Sequence, residues 1–224
     1  MEDLIPKNIR EVYEKLEKEN FEVYFVGGCV RNLLMKLPVK DWDLTTNATP
    51  EQILKLFPNG FYNNQFGTVG VPTDLSAKAL ASVEASAKEG IPVEGEGIVE
   101  ITTFRTEHGF SDRRHPNKVK WGKTIEEDLG RRDFTINAIA LSIVNHQSPI
   151  IKFIDPFKGQ EDIENKIIRA VGNPAARFKE DALRLLRAIR FATVLEFNIE
   201  EKTGQEIVAD AGYLSKDNVK YQTS

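Results

Sequence analysis

An aromatic and β-branched run, Phe21-Glu-Val-Tyr-Phe-Val26, stops dead at Gly27-Gly28, and a second alternating run, Lys40-Asp41-Trp42-Asp43-Leu44-Thr45-Thr46, follows Pro38. The two read as strands, the first ending in a glycine turn that opens a short helix over Val30–Met35. This strand–turn–helix–strand start commits the chain to an α/β fold. On a strand, residues two apart share a face, so Asp41 and Asp43 present two carboxylates side by side. Paired carboxylates suit a hard divalent cation, which takes oxygen ligands. Glu100, in register with Ile98 and Thr102 on a strand expected over 97–104, supplies a third. Asp-x-Asp spacing alone does not separate a metal site from solvent-facing strand decoration. The Gly27-Gly28 turn exposes backbone N–H groups at a helix start, where anions are favoured, and Arg31 lies in the first turn. It matches neither the dinucleotide fingerprint nor the Walker loop, and taken alone it is equally a tight turn. The order, glycine turn with arginine ahead of the Asp-x-Asp strand, puts a phosphate cradle and a metal at neighbouring strand ends.

Apolar residues at Ile9, Val12, Tyr13 and Leu16 predict a helix over 7–20. Thr49-Pro50-Glu51-Gln52 is a helix start with a capping-box pattern, and that helix runs to about Phe57. Strands are expected over 66–71, 97–104 and 150–154, and a helix over Ile125–Ser142. A long helix is expected from Ala175 to Leu195, with Phe178, Ala182, Leu185, Leu186, Ile189 and Ala192 inside, and a last one from Glu200 to about Ala211. The stretch Thr73–Glu96 reads as a short helix over 75–88 or as a surface excursion, and 107–118 as a loop. The boundary between a mixed α/β part and an all-helical part falls near 155–175.

Composition excludes several classes. No apolar run is long enough to span a membrane, and the acidic N-terminus Met1–Lys7 lacks the apolar core of a signal peptide. The lone cysteine, Cys29, forms no internal disulfide, which fits a reducing, cytoplasmic setting. A net charge of −4 does not by itself suggest a nucleic-acid binder. The arginines, however, cluster in the middle and later parts of the chain, at 105, 113, 114, 131, 132, 177, 184, 187 and 190. Such local basic patches bind phosphate on a protein of negative total charge. His108, His115 and His146 have no metal-ligand spacing.

Taken together, the motifs resemble those of class II tRNA nucleotidyltransferases and their bacterial poly(A) polymerase relatives, within the polymerase β superfamily. The resemblance is carried by Phe25-Val-Gly-Gly-Cys-Val-Arg31, Asp41-Trp-Asp43-Leu-Thr-Thr-Asn-Ala-Thr-Pro50 and Val99-Glu-Ile-Thr-Thr-Phe-Arg105. It continues through Glu126-Glu-Asp-Leu-Gly-Arg-Arg-Asp-Phe-Thr-Ile-Asn-Ala138, Asp155-Pro-Phe157 and Arg177-Phe-Lys-Glu-Asp-Ala-Leu-Arg-Leu-Leu-Arg-Ala-Ile-Arg190.

The resemblance implies a polymerase β-like nucleotidyltransferase head (1–155), a small and mostly antiparallel mixed sheet of about five strands flanked by helices. An all-helical neck (156–224) follows, without the body and tail domains of the family. It implies addition of CMP and AMP from CTP and ATP to the tRNA 3′ end, with Mg²⁺, and neither a membrane nor an obligate protein partner. Asp41, Asp43 and Glu100 match the catalytic carboxylates, with the metal on Asp41 and Asp43. Gly28, Arg31, Arg132, Asp133 and Asn137 match nucleotide contacts. Asp181 and Arg184 match the pair that reads the incoming base, and Arg187 and Arg190 match triphosphate contacts. A carboxylate that accepts from an exocyclic amine beside a guanidinium that donates would take cytosine and adenine and reject guanine and uracil. Three apart on one helix, Asp181 and Arg184 are equally an ordinary salt bridge. The loop around Asp112-Arg113-Arg114 matches the one the family needs to switch from C to A. Phe61–Val69 resembles the CCA type and lacks the basic Gly-Arg-Arg run of poly(A) polymerases. The alternatives are an A-adding or CC-adding specialist, a poly(A) polymerase, or a non-catalytic nucleotide- or RNA-binding module. Asn32 stands where the family pattern has aspartate.

Overall fold

The computed structural model describes residues 5–64, 67–73, 97–108, 118–144 and 150–214. All but Thr73 of the helix or excursion expected within 73–96, the loop residues Asp112, Arg113 and Arg114, and His115 and His146 lie outside the described residues, as does the side chain of His108.

The chain falls into two compact units. The first gathers the described residues within Met1–Phe104, Trp121–Ile125 and Ala140–Ile154, and the second those within Arg105–Lys120, Glu126–Ile139 and Asp155–Ser224. Ile154 closes the last segment of the first unit and Asp155 opens the last segment of the second. The segments 105–120 and 126–139 belong with the second.

The first unit begins with α1 (Lys7–Lys18), β1 (Val23–Val26), α2 (Gly28–Leu34), β2 (Trp42–Thr46) and α3 (Pro50–Leu56). It continues with β3 (Phe61–Asn64), β4 (Thr68–Pro72) and β5 (Ile98–Thr103). Two later strands, β8 (Ala140–Val144) and β9 (Ile150–Ile154), complete it. Among the described residues these form one seven-stranded sheet, ordered β3-β4-β5-β2-β1-β8-β9. The neighbours are antiparallel except β2 and β5, which run parallel. The mixed sheet is as expected but wider than five strands, because β3 and β8 were not foreseen.

Packing explains the width. Helix α1 buries Ile9, Val12, Tyr13 and Leu16 and lies against β1. Tyr13 stacks on Phe25 with ring centroids 5.1 Å apart, and Phe25 meets Trp42 edge-on at 5.5 Å. Each such ring buried contributes about 1.5–3 kcal/mol. The Tyr13 hydroxyl accepts a hydrogen bond from the backbone N–H of Ile143 at 3.1 Å, and burial pushes it up to about 12, so it stays a neutral tie between α1 and β8. The capping box at α3 forms as the sequence indicates: Thr49 Oγ1 accepts from Gln52 N–H, and the Gln52 side chain accepts from Thr49 N–H.

The second unit holds β6 (Arg105–His108), which pairs with β7 (Lys118–Trp121, whose last residue falls in the first unit), then α4 (Ile125–Gly130, of which Ile125 falls in the first unit) and a 3₁₀ turn at Thr135–Asn137. Next come α5 (Gly159–Glu164), β10 (Ile167–Ile168), α6 (Pro174–Glu180), α7 (Leu183–Leu195), β11 (Asn198–Ile199) and α8 (Glu201–Asp210). Its core is Leu129, Phe134, Ile136, Ile139, Phe178, Ala182, Leu185, Ala188 and Phe191. The carboxylate of Asp155 accepts the N–H groups of Gly159 and Gln160 at 2.7 and 2.9 Å and so caps α5.

Two helix expectations are corrected. The helix read over Ile125–Ser142 ends at Gly130; the residues after it form the 3₁₀ turn and strand β8. Residues 133–141 are all buried, so their apolar character carries no helical phase. The helix read from Ala175 to Leu195 is broken at Asp181, whose backbone is extended at φ −142° and ψ 106°. The Asp181 carboxylate accepts from Leu183 N–H at 2.9 Å and starts a new helix, a role that favours Asp over helix continuation. The break rotates α7, so Ala188 and Phe191 are buried while Leu186 and Ile189, expected inside, are exposed.

Candidate active site

In the first unit the parallel pairing of β2 with β5 sets the acidic residues. Trp42, Leu44, Val99 and Ile101 are buried, and the residues between them alternate to the other face. Asp43 pairs directly with Glu100 in that register, and both are half-buried. Asp41 precedes the first residue of β2 and is exposed. The strand therefore brings Asp43 and Glu100 side by side, with Asp41 at its mouth. Among the described residues, no group of three or more His, Cys, Asp or Glu side chains is disposed to hold a metal ion unaided. The donor set still fits a hard cation of the magnesium type, which is held through one or two carboxylates and completes its shell with water and substrate phosphate.

The glycine turn follows β1 at the end that lies beside Asp43, because β1 and β2 are antiparallel with Phe25 opposite Leu44. Gly27 has φ 76° and ψ −137°, a conformation that needs glycine, and it admits the chain directly into α2. The guanidinium of Arg31 folds back over this turn, with Nη2 3.5 Å from where a Cβ on residue 28 would stand. Asn32 Oδ1 accepts from Arg31 Nε and Nη2 at 3.2 and 2.9 Å. Cys29 donates its thiol to the carbonyl oxygens of Val26 at 3.0 Å and Asp43 at 3.7 Å, and burial pushes the thiol up to about 12. It is a packed tie between turn and strand, not a nucleophile.

The second unit carries a lattice of arginines set by buried acids. Asp128, fully buried, accepts from Arg131 Nε and Nη2 at 3.0 and 2.8 Å on one oxygen, and from Arg132 Nη2 at 3.0 Å on the other. Burial alone would raise its carboxyl, but Arg131 and Arg132 outweigh burial and hold it below the usual carboxylate range. Arg132 Nε is buried with no hydrogen-bond partner among the described residues, an N–H that an anion would satisfy.

Asp133 is ordered the same way. One oxygen accepts from Phe134 N–H and Asn137 Nδ2 at 2.8 and 3.3 Å; the other accepts from Arg187 Nε and Nη2 at 2.7 and 2.6 Å. Burial opposes its ionisation and Arg187 more than offsets that, so the carboxyl lies below its ordinary value. Arg187 and Arg190 both lie over the Phe191 ring, each 5.2 Å from its centroid.

Asp181 and Arg184 do not sit on one helix, which corrects the shared-face expectation: Asp181 lies in the break before α7. Arg184 is buried, donating to Glu180 at 2.8 Å and to the carbonyl oxygens of Arg177 and Arg131 at 3.2 Å each. Glu180 also takes Arg177 at 2.6 Å. The sequence singled out neither Asp128 nor Glu180. The signal was present, since each stands three or four residues from the arginines it pairs with.

A mixed sheet flanked by helices, with acidic residues on adjacent parallel strands beside a glycine turn, is the head fold of polymerase β-like nucleotidyltransferases. The chain belongs to the poly(A) polymerase head-domain family, whose model matches residues 23–169. It is 44% identical over 210 residues to the CCA-adding enzyme of Lactobacillus delbrueckii subsp. bulgaricus, covering 93% of this chain and 46% of that protein. It is 41% identical over 213 residues to the CCA-adding enzyme of a Geobacillus species (strain WCH70), covering 95% of this chain and 46% of that one. Among solved structures, the Bacillus stearothermophilus CCA-adding enzyme in complex with CTP matches with a TM-score of 0.71 and 35% identity, over 94% of this chain and 45% of its own. A tRNA nucleotidyltransferase complexed with a primer tRNA and an incoming ATP analog matches with a TM-score of 0.64 and 28% identity, over 91% and 51%. The chain thus spans about half the length of the curated relatives it matches. Among the described residues, no helix is long and apolar enough to cross a membrane.

Proposed function

We propose that the chain is the catalytic part of a CCA-adding tRNA nucleotidyltransferase, working in the cytoplasm: it transfers CMP and AMP from CTP and ATP to the 3′ end of tRNA and releases pyrophosphate. The observation that carries this reading is the Asp43–Glu100 register on adjacent strands, with Asp41 at the strand mouth, in a chain of this family. Asp41 and Asp43 are the residues that would hold Mg²⁺, and Glu100 is the third carboxylate. The cation supplies charge neutralisation and activation of the attacking hydroxyl. Transfer of this kind needs positioning and charge more than covalent help from the protein.

The protein's own contribution is then clear in each unit. Gly28 and Arg31 receive phosphate in the first unit. In the second, Arg132, Arg187 and Arg190 bind the triphosphate, with Asp133 and Asn137 behind them holding Arg187 in place. Asp181 and Arg184 select the base. In the structure both are engaged internally, Asp181 through Oδ1 at the start of α7 and Arg184 with Glu180, so a base would meet their remaining acceptor and donors. The domain reading that goes with this is a head over 1–155 and a neck over 156–224.

The test is product length on a tRNA ending at the discriminator base. With CTP alone the product should grow by two residues, and with CTP and ATP by three. An unextended tRNA overturns the reading; a long A tail makes the chain a poly(A) polymerase instead.

A further inference from the structure

Arginine is a costly phosphate ligand unless something holds it, because about 2 kcal/mol of rotamer freedom is lost when it is fixed. In this chain the residue after Arg31 does the holding. Asn32 Oδ1 accepts from both Nε and Nη2 of Arg31, at 3.2 and 2.9 Å. At its other end the same amide donates from Nδ2 to the Pro38 carbonyl oxygen at 3.0 Å, and its backbone carbonyl accepts Leu37 N–H at 2.8 Å. The orientation of the amide is therefore determined: reversed, it would face donor to guanidinium and acceptor to carbonyl. Pro38 lies three residues ahead of Asp41.

We propose that Asn32 is a positioning residue for nucleotide binding: its amide splices the Arg31 guanidinium to Pro38, in the segment that leads into Asp41. The proposal rests on the reading that Arg31 meets the phosphates. Only an amide does both jobs. The aspartate that the family pattern has at this place would accept from Arg31 but has no donor for Pro38, and it would set a negative charge beside the phosphate ligand. The asparagine keeps the grip and itself adds no opposing charge beside the guanidinium.

The experiment compares equilibrium binding of CTP and of cytidine, with Mg²⁺, to the full chain. Asn32→Leu, near in size and without hydrogen bonds, should weaken CTP about tenfold, the worth of one charge-assisted bond, and leave cytidine unchanged. Asn32→Asp, which keeps the acceptor and loses the donor, should fall between parent and Leu. In an Arg31→Ala background, Asn32→Leu should do nothing further to CTP. The proposal is overturned if Asn32→Leu binds CTP within twofold of the parent, weakens CTP and cytidine alike, or still weakens CTP without Arg31. An Asn32→Asp protein that matches the parent overturns the link to Pro38. Should the parent bind no CTP, the nucleotidyltransferase reading falls and takes this proposal with it; a parent that binds, with Arg31→Ala weakened and Asn32→Leu neutral, overturns the proposal alone.

Discussion

Replacing Asp128 by Asn keeps the shape of the side chain and removes its charge. The carboxylate serves two guanidiniums from separate oxygens, Arg131 on one and Arg132 on the other. An amide has one acceptor, so one of the two arginines must face its NH₂. The side chain of Asp128 is wholly buried, while those of Arg131 and Arg132 are 15% and 17% exposed. Breaking a buried ion pair from one side costs about 3–5 kcal/mol. The partial exposure of the arginines places the expectation at the low end, about 3 kcal/mol, or somewhat over a hundredfold in the unfolding equilibrium. The assay is urea unfolding followed by far-UV circular dichroism at pH 7, on parent and Asp128→Asn. The pH arm has a definite sign. The folded carboxyl lies below its ordinary value, chiefly against burial and through Arg131 and Arg132, so its contribution is full above the unfolded value near 3.9 and is lost as pH falls through the lower folded value. The gap between parent and variant should therefore close in acid. A variant within about 0.5 kcal/mol of the parent at pH 7 refutes the claim that this carboxylate is what sets the two arginines.

Two further substitutions test the local accounts. Thr49→Ala removes the side-chain half of the α3 capping box and should cost about 1 kcal/mol by the same unfolding assay, with Thr49→Ser restoring most of it. Gly159→Ala would drive its Cβ into the Thr135 carbonyl oxygen, so a destabilisation of about 1–3 kcal/mol is expected, where alanine elsewhere in a helix stabilises.

Much of the site was legible before the fold was known. Period-two alternation put Asp43 and Glu100 on strand faces, while their adjacency came only with the β2–β5 pairing, and Thr49-Pro-Glu-Gln announced its helix through capping chemistry. Alternation fails where both faces of a segment are covered. Phe134, Ile136, Ile139 and Leu141 are all buried, and the stretch passed for helix although it forms a turn and a strand. The break at Asp181 hid for a different reason. Helix-forming residues flank it on both sides, and only the tertiary fit of Ala182, Leu185 and Ala188 into the core shows that the second helix starts afresh, with Asp181 Oδ1 on the Leu183 N–H. The arginine lattice was half visible: the cations stood out as a cluster, whereas the acids that order them, buried Asp128 and half-buried Glu180, were not singled out.

In the proposed reaction the Asp41–Asp43 pair would hold the cation that nucleotidyl transfer requires. Incorporation of labelled CTP into tRNA lacking its 3′ CCA, measured for the parent and for Asp41→Ala side by side, tests it most directly. Asp41→Ala should incorporate roughly 10²–10³-fold less, or lower still, with its fold retained; incorporation at the parent's rate would remove Asp41 from the metal site.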